Sequence, residues 1–501
     1  MQNHQHPTIP GDIPVRLRQL FGQIGCALIG VATLLAVALP AVAETAEARP
    51  AASEKADALL SGLIETNDPG LAVLVAQNGK ILFEKCYGLA DRERHVPVMP
   101  QTTFRIGSIG KQFTASAILK LQEKGKLSVN DKLSKYIPDF PRGDEVTLRH
   151  LLTHTSGIHS YTEKDGFMGR VTSPIKPDDL INSFKNDPYD FDPGKKWHYD
   201  NSGYFLLGRI VEKVSGQSYG DFLQKNFFKP LGMTNTGVYR AHLGLLHEAL
   251  GYSLEGAVFT NAVNWDMSWA GGAGTLYSTV EDLFRWNEGI FNGRVLGAAS
   301  LKAAFTPVQM YENQLNSDSG YGYAWFIGRH RGLLEISHGG GLEGFLTQLL
   351  RVPDEKFTVA VLANAMPGRT NAIPLLLAQQ LVDIFLADKL APLPIVNTNV
   401  SPSSYDALTG RYGPWLPGVN LTIRKGGTHL YGQIAEGPEM GAEAELFPKS
   451  DTEFFSKTGA QITFVKDTSG KVVKIIVHGT VLFWGEVDLV APRVNDVVEE
   501  K

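Results

Sequence analysis

Strand signals stand at both ends of a long helical stretch, and that arrangement limits the fold more than any other feature of the chain. Near the start, Leu71-Ala72-Val73-Leu74-Val75 is followed by Asn78-Gly79 and Ile81-Leu82-Phe83. An Asn-Gly pair between two apolar runs is a strong hairpin signal. Strand patterns return only at residues 333–337, 345–352 and 357–363, the last two joined by Pro353-Asp354-Glu355-Lys356. Between them, roughly 130–310 reads as helix and loop with many Gly, Pro and Asp turn signals. Further helices are expected at 44–66, after Ile106 (Phe113, Ala117, Ile118 and Leu121 on one face, Gly125 as the stop), at 204–214 and at 373–386. The pattern predicts an α+β domain: one antiparallel sheet assembled from both ends, with helices packed on it.

At 501 residues the chain is too long for one ordinary core, so a second domain is expected. Residues 391–404, rich in Pro, Asn and Ser, read as a linker. Beyond it, short strands at 421–423, 430–434, 445–447, 453–455, 462–465, 472–477 and 481–484 predict a small all-β barrel or sandwich over 405–490, followed by a polar tail at 491–501. A net charge of -5 supplies no basic field for gripping phosphates, which argues against a nucleic-acid partner. Residues 1–43 read as a signal peptide: Arg16 and Arg18 precede an apolar run from Cys26 to Leu39, and Ala41-Val42-Ala43 offers a cleavage site before Glu44. Export to the periplasm or medium is the expectation, and a membrane association only if the segment is retained as an anchor. Of the two cysteines, Cys26 lies in that segment, so the mature chain is expected to lack an internal disulfide.

Three features of residues 44–390 carry chemistry. Ser108-Ile109-Gly110-Lys111 stands where a strand pattern gives way to a helix. Residues three apart share a helix face, so the amine can reach the hydroxyl. A lysine works as a base at neutral pH only if desolvation or neighbouring positive charge lowers its pKa. Such a tetrapeptide arises by chance about once or twice in a chain of this size, and Ser173-Pro174-Ile175-Lys176 is a second match, in a Pro-rich loop without a preceding strand. Tyr199-Asp200-Asn201 follows the turn Asp192-Pro193-Gly194 and precedes a helix. Tyr199 reads either as a proton relay or as a core aromatic, and Asn201 either as a holder of a substrate amide or as a helix N-cap. His338-Gly339-Gly340-Gly341 ends a strand pattern, where glycines permit the close backbone approach that an oxyanion-binding N–H requires, or form a simple turn.

With these motifs the chain resembles the serine β-lactamase and penicillin-binding protein superfamily, in its class C-like branch of β-lactamases, DD-carboxypeptidases, D-aminopeptidases and esterases. The resemblance covers roughly residues 55–390 and rests on Phe104-Arg105-Ile106-Gly107-Ser108-Ile109-Gly110-Lys111, Leu151-Leu152-Thr153-His154-Thr155-Ser156-Gly157, Tyr199-Asp200-Asn201-Ser202-Gly203-Tyr204 and His338-Gly339-Gly340. It implies Ser108 as nucleophile, Lys111 and Tyr199 as the acid/base pair, and Asn201, His338 and Gly340 at the substrate. The oxyanion hole would be the backbone N–H groups of Ser108 and Gly341, with neither metal nor other cofactor. The substrate would be a small molecule or peptide, such as a cell-wall fragment; oligomeric state is not legible. Asp200 replaces a commoner small residue, with its side chain expected to point away from the nucleophile. His-Gly-Gly in place of Lys-Thr-Gly removes the permanent cation that would meet a β-lactam carboxylate. That favours a peptidase or esterase over a class C-type β-lactamase. A cell-wall or peptide-binding module that has lost catalysis would be expected to lack Ser108, Lys111 or Tyr199, and none is missing.

Other motif matches read as structure. Gly216-Gln217-Ser218-Tyr219-Gly220 fits a nucleophile-elbow pattern but follows a helix rather than a strand, so Gly216 is expected to cap that helix. His150 and His154 have helical metal spacing without the companion Glu, His247-Glu248 lacks a second His, and Asp178-Asp179 suits a helix start.

Overall fold

The computed structural model describes residues 48–240, 243–366, 374–416, 419–434, 443–456, 460–481 and 485–494. The expected signal peptide lies outside them. Among the described residues no helix is long and apolar enough to cross a membrane.

The elements that position the site are helix α1 (Ala48–Ser61), strands β1 (Leu71–Gln77) and β2 (Lys80–Tyr87), helices α2 (Gly110–Glu123), α3 (Asn201–Ser215) and α4 (Val280–Phe291), strands β3 (Gly320–Tyr321), β4 (Phe326–His330), β5 (Leu333–Leu342), β6 (Phe345–Val352) and β7 (Phe357–Ala363), and helix α5 (Pro374–Phe385). The seven strands form one antiparallel sheet in the order β3-β4-β5-β6-β7-β1-β2. The early hairpin therefore joins the late strands through β1 against β7, with Leu71 opposite Ala363 and Gln77 opposite Phe357. Its turn is the expected one: Asn78 and Gly79 both have positive φ, 52° and 74°, as a type I′ turn requires.

Both faces of the sheet are covered, which is why the central strands read as continuous apolar runs rather than alternating ones. Along β1, Ala72, Leu74 and Ala76 face the large core shared with α2 and α3. Leu71, Val73 and Val75 face a second core with Ala56 and Leu60 of α1 and Leu377, Leu381 and Phe385 of α5. Period-2 alternation sorts one strand between two apolar layers.

The C-terminal domain is a nearly closed eight-stranded antiparallel barrel, β8 (Gly410–Leu416), β9 (Val419–Gly426), β10 (His429–Ile434), β11 (Glu443–Pro448), β12 (Glu453–Ser456), β13 (Gln461–Lys466), β14 (Val472–Val481) and β15 (Gly485–Pro492). Tyr412 meets Arg493 across the seam. Two of its strands differ from the sequence reading. β8 gives no clear strand signal because Gly413 and Pro414 interrupt it. Val481 is the last residue of β14, the rest of the strand expected at 481–484 lies outside the described residues, and the last strand begins at Gly485. The barrel docks through β15: the Leu315 N–H donates to the Asp488 carbonyl at 2.8 Å and the Val490 N–H to the Asn313 carbonyl at 3.1 Å. Leu489 is buried in a cluster with Met310, Tyr321 and Phe326, against which Trp197, Tyr199 and Tyr311 pack.

Candidate active site

Ser108 sits in a single 3-10 turn, Gly107–Ile109, between the short strand Phe104–Arg105 and α2. Gly107 adopts φ +50°, and a Cβ there would stand 3.0 Å from the Gly341 carbonyl oxygen and 3.2 Å from its nitrogen. The turn that presents Ser108 is thus pressed against the backbone of β5, and glycine allows that approach. One helical turn on, Lys111 is completely buried. Its Nζ lies 3.1 Å from Ser108 Oγ, 2.7 Å from Asn201 Oδ1 and 3.0 Å from the Ala273 carbonyl oxygen. Two of these neighbours are obligate acceptors that engage two N–H bonds, which leaves the third tetrahedral position of a neutral amine, its lone pair, facing the serine hydroxyl. Burial pulls the Lys111 ammonium down to about 7, with the Asp200 carboxyl acting in the opposite sense.

Tyr199 packs its ring 4.7 Å from Lys111 Nζ. Burial pushes its phenol above the ordinary tyrosine range, while a hydrogen bond with Ser108 draws it back. Ser108 thus has a lysine and a tyrosine at its hydroxyl. Asn201 is the first residue of α3, and the N-cap is Asp200, whose carboxylate oxygens both accept from the Gly203 N–H at 3.1 Å. Because Asp200 takes the capping role, the Asn201 side chain is free to accept from Lys111 and to donate to Thr162 Oγ1 at 3.0 Å. Asp200 itself is buried and pushed up to about 7 by desolvation.

His338 and Gly340 lie on β5, with the His338 ring 6.3 Å from that of Tyr199. β5 does not stop at Ser337 but continues through the glycines to Leu342, held by β6 with Gly341 opposite Leu346. His338 is buried. Its Nδ1 lies 2.6 Å from the Gly339 carbonyl oxygen, so that nitrogen carries the proton, and Nε2 accepts from Tyr321 Oη at 3.0 Å. Burial pulls its pKa down to about 3, and the ring is neutral. Gly340 faces inward: a Cβ would meet the Ile106 carbonyl oxygen at 2.1 Å and Thr347 Oγ1 at 2.4 Å. Like Ser108 and Lys111, neither residue is among those that line the cleft of about 470 Å³ holding Asn201 and Gly341. Gly340→Ala is expected to force β5 away from the Ser108 turn. The expected cost is about 1–3 kcal/mol of stability and roughly tenfold or more in kcat, read as a melting temperature and an ester-hydrolysis rate. An unchanged rate would refute the close approach.

His154 is the site residue that motif reading assigned only a structural part. The helix carrying His150 ends at Leu152, so the two histidines share no helical face, and His150 forms a capping box with Thr147 instead. His154 has φ +58° and is fully buried. Its carbonyl accepts the His198 N–H and its Nδ1 accepts the Asp200 N–H, both at 3.0 Å. Its ring lies 4.4 Å from that of Tyr199. It therefore fixes the backbone on both sides of Tyr199, a relation between distant segments that spacing along the chain does not reveal. Gly216 is the C-cap of α3 at φ +68°, as expected, and the Ser173 carbonyl merely accepts from the Trp269 indole.

Residues 55–382 match the Beta-lactamase family. Penicillin-binding protein 4* of Bacillus subtilis (strain 168) is 32% identical over 76% of this chain and 87% of its own length. Two further curated relatives are spanned over only 63% and 59% of their lengths. Among solved structures, a D-stereospecific amidohydrolase from Streptomyces sp. is 27% identical with a TM-score of 0.54, covering 64% of this chain and 94% of that one. The octameric penicillin-binding protein homologue from Pyrococcus abyssi, 24% identical, shares the fold over 88% of this chain and 99% of its own, with a TM-score of 0.59.

Proposed function

We propose, from the premise that this chain belongs to the Beta-lactamase family and is a serine hydrolase, that it cleaves an amide or ester through an acyl-enzyme on Ser108. The observation that carries this reading is the 3.1 Å approach of buried Lys111 Nζ to Ser108 Oγ, with Asn201 Oδ1 and the Ala273 carbonyl as its two other hydrogen-bond partners. Neutral Lys111 takes the serine proton as Oγ attacks the carbonyl carbon, a general-base step. The oxyanion is held by the Ser108 and Gly341 N–H groups. Collapse of the adduct expels the amine or alcohol, which receives a proton through Tyr199, whose buried phenol stays protonated and suits a relay. Water then attacks the acyl-enzyme with the same groups in reverse. Asn201 ties Lys111 to the cleft wall and offers its amide to the substrate.

A peptidase or esterase fits better than a β-lactamase. The neutral His338 supplies no cation for a β-lactam carboxylate, and its ring nitrogens are both engaged. Export is part of the proposal, supported by the Arg16–Ala43 segment. The test is intact mass after incubation of the expressed chain with a fluorophosphonate, a penicillin and a short-chain p-nitrophenyl ester. A fluorophosphonate adduct with ester turnover, on a chain beginning at Glu44, is the expected result. Penicillin turned over faster than the ester would overturn the substrate preference. No adduct in folded protein would leave a binding module.

A further inference from the structure

We infer that Glu343 makes the cleft select acyl donors that carry a cation next to the scissile carbonyl, a free α-ammonium above all. This rests on the acyl-enzyme reading and names the substrate class for the same site.

Glu343 follows Gly341 by two residues, in the turn between β5 and β6, so its Cα lies within about 7 Å of the oxyanion-binding backbone. It lines the same cleft as Asn201 and Gly341. Among the described residues no Lys, Arg or His forms an ion pair with it. Lys164, the one lysine on the cleft wall among the described residues, is spent elsewhere: its Nζ donates to both Asp187 carboxylate oxygens at 2.9 and 2.6 Å and to the Ser183 carbonyl at 2.6 Å. His338 is neutral and buried. Among the described residues the cleft thus presents a carboxylate with no cationic partner, to which exposed Asp165 adds a second acidic group. Burial raises the pKa of Glu343 above the usual carboxylate range, with its own backbone N–H and the Trp265 indole opposing. An incoming cation would restore the charge that partial burial disfavours.

Around Glu343 the wall is apolar: Phe167, Met168, Trp265, Leu342 and Met366. Trp265 stands edge-on to Phe167 at 5.0 Å. An aminoacyl group matches this pairing, since its ammonium and its side chain both branch from the carbon next to the reacting carbonyl. Cation–π attraction from the Trp265 face would add to the carboxylate. An N-acylated donor loses the charge, and a donor bearing a carboxylate meets like charge, which is a specificity device by repulsion.

The test compares kcat/KM on phenylalanine p-nitroanilides, both enantiomers, with the amine free, N-acetylated or N-succinylated, in wild type, Glu343→Gln and Ser108→Ala. A ratio of two substrates on one enzyme does not depend on the fraction folded. Wild type is expected to prefer the free amine over the acetylated form by tenfold or more and over the succinylated form by more. Glu343→Gln is expected to bring the first ratio within about threefold, and Glu343→Lys to favour the succinylated donor. Ser108-dependent turnover with no preference in wild type, or an unchanged preference in Glu343→Gln, overturns the role of Glu343 alone. Turnover that survives in Ser108→Ala overturns the acyl-enzyme reading, and this inference with it.

Discussion

Ser108→Ala is expected to abolish the fluorophosphonate adduct and to lower ester and anilide turnover by roughly 10⁴-fold, toward the residual rate that an oxyanion site supplies without its nucleophile. The fold should survive. Ser108 is only partly buried, the substitution removes one hydroxyl, and Lys111 keeps its bonds to Asn201 and Ala273. The stability change is therefore expected to stay near 1 kcal/mol, the typical worth of one hydrogen bond. Ser173→Ala is the matched control, because it removes the other Ser-x-x-Lys serine. That serine stands in a loop whose carbonyl only anchors Trp269, and its loss should leave both adduct and turnover intact. Melting curves together with intact mass decide the matter. A folded Ser108→Ala variant that retains a tenth of wild-type turnover would remove Ser108 from the reaction.

The parts of this architecture that local physics dictates are the parts the sequence shows. The Asn78-Gly79 turn could be read because two successive positive-φ residues demand such a pair, and the sheet assembled from both ends of the domain because its strands are short apolar runs bounded by turn signals. Ser108 and Lys111 could be read because one helical turn joins them. What stayed hidden depends on contacts between distant segments. His154 supports Tyr199 from forty-odd residues away in sequence by way of a backbone conformation that no periodicity announces. The glycines after His338 looked like the end of a strand, since glycine is a weak strand former. They stay in the ladder because Thr347 of β6 and the Ile106 carbonyl close on Gly340, and only a residue without a Cβ fits there. Glu343 had no motif to mark it. Its meaning comes from the cleft it faces and from the pairing of Lys164 elsewhere, both tertiary facts.

In wild type, kcat/KM is expected to rise with pH through a midpoint near 7, because the reacting form of Lys111 is the neutral amine and burial brings its pKa down to about 7. Lys111→Arg retains a cation of similar reach but cannot release its proton in the working range. Turnover should fall by about 10²–10⁴, the usual yield of general-base catalysis, and the ascending limb should disappear. Desolvation also pushes Asp200 up to about 7, so the limb could belong to either group or to both as a coupled pair. Asp200→Asn separates them. Its amide oxygen can still accept from the Gly203 N–H, so the cap on α3 is preserved, while the negative charge that favours the Lys111 ammonium is gone. If the limb reports Lys111, the Asn variant moves its midpoint to lower pH, since an unassisted buried ammonium gives up its proton sooner. If the limb reports ionisation of Asp200, the variant abolishes it. A midpoint moved to higher pH would contradict the assignment of Lys111 as the base, whatever the size of the rate loss in Lys111→Arg.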